Sequence, residues 1–93
     1  MSRLELKFKS DLCKLIGNPF GRQTYDEQAK GKIDLSNSTC IVLPDRIKRV
    51  GSSFIQGFFH DIVKQIGISG VEEKFEFESS ISDFKQFVIK SLQ

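Results

Sequence analysis

The residues best suited to chemistry are two adjacent serines, Ser52 and Ser53, which follow Gly51 where an apolar segment gives way to a helical pattern. A helix begins with backbone N–H groups that have no partner inside the helix. Together with the helix dipole, these groups favour an anion such as a phosphate or a phosphoserine. Helix capping is the simpler interpretation, above all for Ser53, because Gln56 completes an S-x-x-Q capping box.

Other catalytic groups are scarce. His60 is the only histidine, and on a helix it would lie about 12 Å along the axis from Ser52, too far for a hydrogen bond. The G-x-S-x-G turn of serine hydrolases is missing. Cys13 and Cys40 match neither a metal spacing nor a redox spacing, so we interpret them as reduced thiols. We therefore expect a protein that is not an enzyme and that needs no metal or cofactor.

The charge pattern does not favour nucleic acid as a partner. The chain has 14 basic and 12 acidic residues, a net charge of +2. Its closest basic cluster is Arg46, Lys48 and Arg49, and a nucleic-acid binder more often shows a long basic stripe. The phenylalanines fall mostly at core spacing, which favours packing over base stacking. A later acidic group comprises Glu72, Glu73, Glu76 and Glu78, and three of them, Glu72, Glu76 and Glu78, would share one solvated face of a strand.

The length of 93 residues predicts one domain spanning residues 1–93, with an N-terminal strand and turn over residues 1–19. Its 39% hydrophobic content supports a packed core and argues against disorder. No segment approaches the ~20 consecutive apolar residues of a membrane span. The first residues also lack the apolar region of a secretion signal. We expect a cytoplasmic protein without a membrane partner.

The first third of the chain predicts a strand followed by short helical pieces. Apolar and charged residues alternate over residues 4–9, a period typical of a half-buried strand. Ser10-Asp11 predicts the cap of a short helical turn reaching Ile16, which Gly17-Asn18-Pro19 ends. Residues 20–22 predict a loop.

A second helix and a buried strand come next. Thr24 and Glu27 form a capping box that predicts a helix running toward Ile33. The short apolar segment 39–43, rich in β-branched residues, predicts a strand buried on both faces at the centre of a sheet. Pro44 ends that strand.

The clearest predicted element is the helix that begins near Ser53. Its apolar residues recur with a helical period and form a broad face, and Gly67 is expected to end it. The residues predicted on that face are Phe54, Ile55, Phe58, Phe59, Ile62, Val63 and Ile66. Residues 71–77 predict a strand near the sheet edge, and Ser79 or Ser80 predicts the cap of a last helix with Asp83 in its first turn.

Strands that alternate with helices indicate an α/β fold with a mainly parallel sheet. This order of elements resembles the STAS domain of anti-sigma-factor antagonists. The resemblance also rests on a motif, Ile41-Val42-Leu43 followed by Ile47-x-x-Val50-Gly51-Ser52-Ser53-Phe54. It is more closely similar to the bacterial STAS-like group of small proteins, in which a strand and an SSF turn precede an aromatic-rich helix. The Gly21-Arg22 loop also resembles that group, and the resemblance covers residues 20–90.

The resemblance implies a small STAS-like fold, with three or four strands in a mainly parallel or mixed sheet and helices packed on it. It also implies regulation by docking to a protein partner, such as a kinase-like ATPase. In anti-sigma-factor antagonists the turn reads Asp-Ser-Ser-Gly, and Ser52 matches its first serine, which a partner kinase phosphorylates. In this chain Gly51 replaces the aspartate of that motif and Phe54 replaces its glycine, so docking is expected rather than phosphorylation.

The sequence therefore predicts a regulatory interaction module that docks through the turn and helix start at residues 49–56. The site residues expected are Lys48, Arg49, Gly51, Ser52, Ser53 and Gln56. An alternative from another class stays open, namely a small mobile-element or phage protein that binds and inhibits a host enzyme or defence complex.

Overall fold

Strands and helices alternate along the chain, and the computed structural model describes residues 1–93. In chain order the elements are β1 (Ser2–Glu5), β2 (Lys14–Leu15), α1 (Asn18–Thr24), a π-helical turn (Tyr25–Ala29), β3 (Thr39–Val42), β4 (Arg49–Val50), α2 (Ser52–Lys74), β5 (Phe75–Glu78) and α3 (Phe84–Leu92). The α/β class predicted from the sequence is confirmed. None of the helices combines the length and the apolar character needed to cross a membrane.

The main sheet has three parallel strands in the order β1-β3-β5, and a separate parallel pair joins β2 to β4. The predicted buried strand at residues 39–43 is confirmed as β3, the central strand, with Cys40 and Ile41 both buried. The predicted edge position of the strand before the last helix is confirmed for β5. Leu4, Ile41 and Phe77 lie side by side in the register and face the core.

The helices cover only one face of the main sheet. The opposite face carries charged side chains that are exposed, in register with Cys40 and Val42 of the central strand. These side chains are Arg3, Glu5, Glu76 and Glu78. A parallel sheet is usually covered on both faces. Here an ion pair between Arg3 of β1 and Glu78 of β5 spans the central strand and covers Cys40, which is 6% exposed.

The core is built from α2 and from phenylalanine rings. The apolar face predicted for this helix is confirmed at its N-terminal half, where Phe54, Ile55, Phe58, Phe59 and Ile62 are all buried. All nine phenylalanines belong to the core or pack against it. Several meet edge to face, as do Phe58 and Phe59 with ring centroids 5.0 Å apart. The interpretation of these rings as core packing is confirmed.

Two glycines allow α1 and α2 to touch through their backbones. A Cβ atom at Gly57 would lie 3.1 Å from the amide nitrogen of Arg22 and closer still to the carbonyl oxygen of Asn18. A Cβ atom at Gly21 would lie 2.8 Å from the amide nitrogen of Phe58 and would overlap the carbonyl oxygen of Phe54. Both glycines are buried, and the crossing fixes the position of the first two turns of α2.

Several predictions for the first third of the chain are wrong. The segment from Ser10 to Ile16 forms a turn and the strand β2 rather than a helix, because it pairs with β4. Residues 20–22 lie inside α1, which begins at Asn18 with proline in its first turn. Thr24 caps nothing, since its hydroxyl donates a hydrogen bond to the carbonyl oxygen of Phe20 at 2.8 Å. The helical segment ends at Ala29, short of Ile33.

Predictions near the C-terminus also need correction. Gly67 adopts a φ of 74° and a ψ of 171° and breaks the helix, as predicted, but a second helical stretch follows directly and continues α2 to Lys74. The strand predicted over 71–77 therefore begins only at Phe75, and Val71 belongs to the helix, where it is fully buried. Asp83 precedes the first turn of α3 in a left-handed conformation, so neither Ser79 nor Ser80 caps that helix.

Candidate functional site

The predicted site lies where β4 leads into α2. Gly51 occupies the N-cap position in an extended conformation, with φ −80° and ψ 151°. Its N–H donates a hydrogen bond to the carbonyl oxygen of Leu15 at 2.8 Å, which ties the helix start to β2. Its carbonyl accepts hydrogen bonds from the amides of Phe54 and Ile55, which open the helix. The helix start is thus held from both sides.

The side-chain hydroxyls of the two serines in this turn have no hydrogen-bonded partner within the chain. Ser52 is exposed and Ser53 is half-buried, and neither hydroxyl is engaged by another residue. The predicted capping box is therefore wrong. Gln56 instead donates its side-chain amide to the carbonyl oxygen of Ser91 at 3.0 Å, and so joins α2 to the end of α3. Gln56 lies one helical turn beyond the serines, and its side chain links the two helices.

The β2–β4 pair places basic side chains beside the serine turn. Lys14 pairs with Arg49 and Leu15 pairs with Val50, so Lys14 and Arg49 point to the same, outer face. Both are exposed, whereas Leu15 is fully buried. Ile16 follows on this outer face. It is 56% exposed, one of only two large apolar side chains with such exposure, and its Cδ1 atom would lie 3.2 Å from a Cβ atom at Gly51.

On the other side of β4, a shallow groove of about 250 Å³ separates this strand from the start of α3. Its residues are Lys48, Arg49, Val50, Ile81, Ser82, Phe84 and Phe87. Two cations therefore stand at the rim of a groove whose other side chains are mostly apolar. We call this feature, together with Lys14 and Ile16, the β4 surface.

The three cations of the β4 surface, Lys14, Lys48 and Arg49, form no ion pairs. The ion pairs of the chain lie elsewhere, between Arg3 and Glu78, Arg22 and Asp61, and Lys85 and Glu76. The side-chain nitrogen of Lys48 lies 3.4 Å from the hydroxyl of Ser80. The β4 surface is therefore positive and open to an acidic partner.

Hydrogen bonds hold the groove in shape. The hydroxyl of Ser80 lies 3.1 Å and 3.2 Å from the carbonyl oxygens of Asp45 and Ile47, the turn that precedes β4. The amide of Lys48 donates to the carbonyl oxygen of Cys13 at 2.9 Å. These bonds connect β2, β4 and the segment before α3, so the groove exists before any partner binds.

The structure brings together five of the six predicted site residues around the start of α2: Lys48, Arg49, Gly51, Ser52 and Ser53. Sequence reasoning missed Lys14 and Ile16, because it placed both residues in a helical turn rather than in a strand. It also missed Ile81 and Phe87 as parts of this surface. The only feature of the sequence that could have indicated the exposure of Ile16 is its position directly before Gly17, where the predicted helical turn ends.

The remaining chemical groups do not assemble into a second centre. His60 is exposed on α2, and no three histidine, cysteine or acidic side chains converge as metal ligands. The predicted strand face of Glu72, Glu76 and Glu78 is wrong, since Glu72 lies on α2 whereas Glu76 and Glu78 lie on β5.

Two side chains on the open sheet face, Cys40 and Glu78, have shifted pKa values. Burial raises the pKa of the Cys40 thiol, and the nearby Glu78 carboxylate raises it further. The hydrogen bond from Arg3 lowers the pKa of Glu78 below its ordinary value of 4.5. Cys40 is thus a protonated, covered thiol rather than a nucleophile.

Comparisons with known proteins add no relative. No protein-family model matches the chain, and searches of curated proteins and of solved structures find no match either. The similarity to the STAS-like group stays a prediction from the sequence.

Proposed function

We propose that this protein is a regulatory interaction module that docks onto a partner protein through the β4 surface and the adjoining start of α2. The observation that supports the proposal is Ile16, an exposed apolar side chain packed beside Gly51 on the same outer face as Lys14 and Arg49, which form no ion pairs. Interfaces concentrate binding energy in a few apolar anchors with a polar surround. Ser52 lies at the edge of this anchor.

The nature of the partner follows from the resemblance alone. A STAS-like module would dock onto an ATP-binding, kinase-like protein, and the serine turn would lie at the interface. Gly51 leaves room for Ile16 and lacks the carboxylate of the related turn. We therefore propose recognition at this turn without transfer of a phosphoryl group to Ser52.

The test is affinity capture from the native host with the wild-type chain and with Ser52→Glu. The new carboxylate would lie at a helix N-terminus, where it favours the fold by about 0.3–1 kcal/mol. It would also add a negative charge beside Lys48 and Arg49 and oppose an acidic partner. We expect loss of a kinase-like ATPase from the captured proteins while the thermal unfolding temperature stays equal or rises.

Lys64→Glu is the matched control, because Lys64 is exposed on α2 and makes no ion pair. It should retain the partner. Capture that is equal for Ser52→Glu and the wild type would contradict the proposed site.

A second candidate function, inhibition of a host enzyme by a mobile-element protein, is favoured by the uncovered sheet face. That face is acidic and carries Glu5, Glu76 and Glu78. Glu5→Lys reverses one of its charges without breaking an ion pair. If this variant loses the captured protein and Ser52→Glu retains it, the open sheet face is the functional surface.

A further inference from the structure

We propose that the groove of the β4 surface receives an acidic segment of a partner protein that carries one apolar side chain, with Lys48 and Arg49 binding its carboxylates. This inference rests on the proposed function, because it names the chemistry of the partner at that same site. Three properties of the groove support it: its size, its charge and its rigidity.

The size of the groove suits a side chain rather than a cofactor. Pockets for small-molecule ligands span about 300–1,000 Å³ and enclose most of the ligand. This groove is smaller, at about 250 Å³, and it is open along one side. Val50, Ile81 and Phe87 are only half-buried there, so an added apolar group would cover surface that the fold leaves accessible to water.

The charge of the groove selects an acidic segment. Lys48 and Arg49 form one wall, and Lys14 lies beside Arg49 across the β2–β4 pair. None of the three has an acidic partner within the chain. A guanidinium binds a carboxylate through two parallel hydrogen bonds. The rim therefore offers charge complementarity to carboxylates on either side of an apolar residue.

A nucleic acid would use this surface only in part. Phosphates would neutralise the cations but would leave the apolar groove largely empty, and of the two rings that line it Phe84 is buried and only Phe87 is partly accessible for base stacking. An acidic peptide uses both features at once, which is why we favour a protein segment.

The rigidity of the groove lowers the cost of binding. Ser80 binds the carbonyl oxygens of Asp45 and Ile47, and Gln56 joins α2 to the end of α3. A preformed site avoids the ordering penalty that a flexible one incurs on association.

The experiment uses methyl-labelled protein and three synthetic nine-residue peptides with the same single central leucine. Aspartates flank the leucine in the first peptide, asparagines in the second and lysines in the third. We expect the acidic peptide to shift the methyl signals of Val50 and Ile81, with Ile62 in the core unaffected. The neutral peptide should bind about tenfold more weakly, and binding of the acidic peptide should weaken with added salt.

The variant Lys48→Glu/Arg49→Glu should lower the affinity for the acidic peptide at least about tenfold, because two attractions become repulsions. Lys48→Gln/Arg49→Gln should give an intermediate loss, and it keeps the test valid if charge reversal perturbs folding. Lys30→Glu/Lys32→Glu is the matched control, because this exposed pair lies before β3, at the opposite end of the sheet.

Equal binding of the acidic and basic peptides would overturn the inference, as would shifts that avoid Val50 and Ile81. Tighter binding of a twelve-residue oligothymidine at the same methyl groups would also overturn it, in favour of a nucleic acid. If the acidic peptide does not bind while Ser52→Glu still loses the captured partner, the inference about the groove is wrong and the proposed function stands. If the peptide binds in the groove while Ser52→Glu keeps its partner, the groove stands and the proposed docking site fails.

Discussion

Substitution of Gly57 by alanine tests the packing that holds the start of α2 in place. The added Cβ atom would lie 3.0 Å and 3.1 Å from the carbonyl carbon of Asn18 and the amide of Arg22, where ordinary contacts are 3.4–4 Å. The carbonyl oxygen of Asn18 is closer still. All three neighbours are backbone atoms of α1, so no side-chain rotation can relieve the overlap. The two helices must separate.

The cost can be worked out from this geometry. Overpacking a tight core costs about 1–3 kcal/mol, and a backbone clash belongs at the upper end of that range. A separation of about 0.5–1 Å forfeits a quarter to a half of the dispersion energy across the crossing. The higher helix propensity of alanine raises the free energy of unfolding by about 1 kcal/mol and so offsets part of this loss. The net loss in the free energy of unfolding is therefore about 2 kcal/mol.

The assay is thermal or urea unfolding of Gly57→Ala, with Gln65→Ala as control for an exposed position on the same helix. For a domain of this size, 2 kcal/mol lowers the melting temperature by about 8–16 °C. Gly21→Ala should show a similar loss, since its Cβ atom would overlap the backbone of Phe54. The double variant should lose less than the sum, because one separation relieves both contacts. A Gly57→Ala protein as stable as the wild type would refute the close crossing.

Two further predictions concern the covered thiol and its ion pair. Iodoacetamide should alkylate exposed Cys13 much faster than Cys40, because burial and a raised pKa both disfavour the thiolate of Cys40. Mass spectrometry measures the two rates. Equal rates would contradict the placement of Cys40 under the Arg3–Glu78 ion pair. The lowered pKa of Glu78 means that its stabilising contribution is present above the ordinary value of 4.5 and is lost as pH falls through the lowered, folded value. Glu78→Gln should therefore flatten the melting temperature against pH below about 4.5, and an unchanged slope would contradict that linkage.

The sequence predicts well the elements whose patterns report burial directly. The apolar segment 39–43 contains the central strand β3, whose inner face packs on the core and whose outer face is shielded at Cys40 by the Arg3–Glu78 ion pair. The helical repeat of Phe54, Phe58 and Ile62 likewise faces the core. Both patterns are set by local spacing, which a single sequence displays.

The failures come from contacts that local patterns do not display. Residues 20–22 look like a loop because Gly21 has poor helix propensity, yet glycine is required there by the backbone of α2. Gln56 completes an apparent capping box, but its amide binds the carbonyl of Ser91, 35 residues away in the chain. In both cases a tertiary partner, invisible in the sequence, determines the local conformation.

In the candidate site too, features set by local spacing were predicted and features set by tertiary contacts were missed. The serines after Gly51 were predicted because a helix start follows from residue type and spacing. The surface around them depends on a two-residue strand pair, β2 with β4, and a strand of two residues has no periodicity to detect. This pair sets Lys14 beside Arg49 and brings Ile16 against Gly51. An alanine at Gly51 would press on the Cδ1 atom of Ile16 at 3.2 Å, so the glycine makes room for this exposed apolar side chain beside the start of α2.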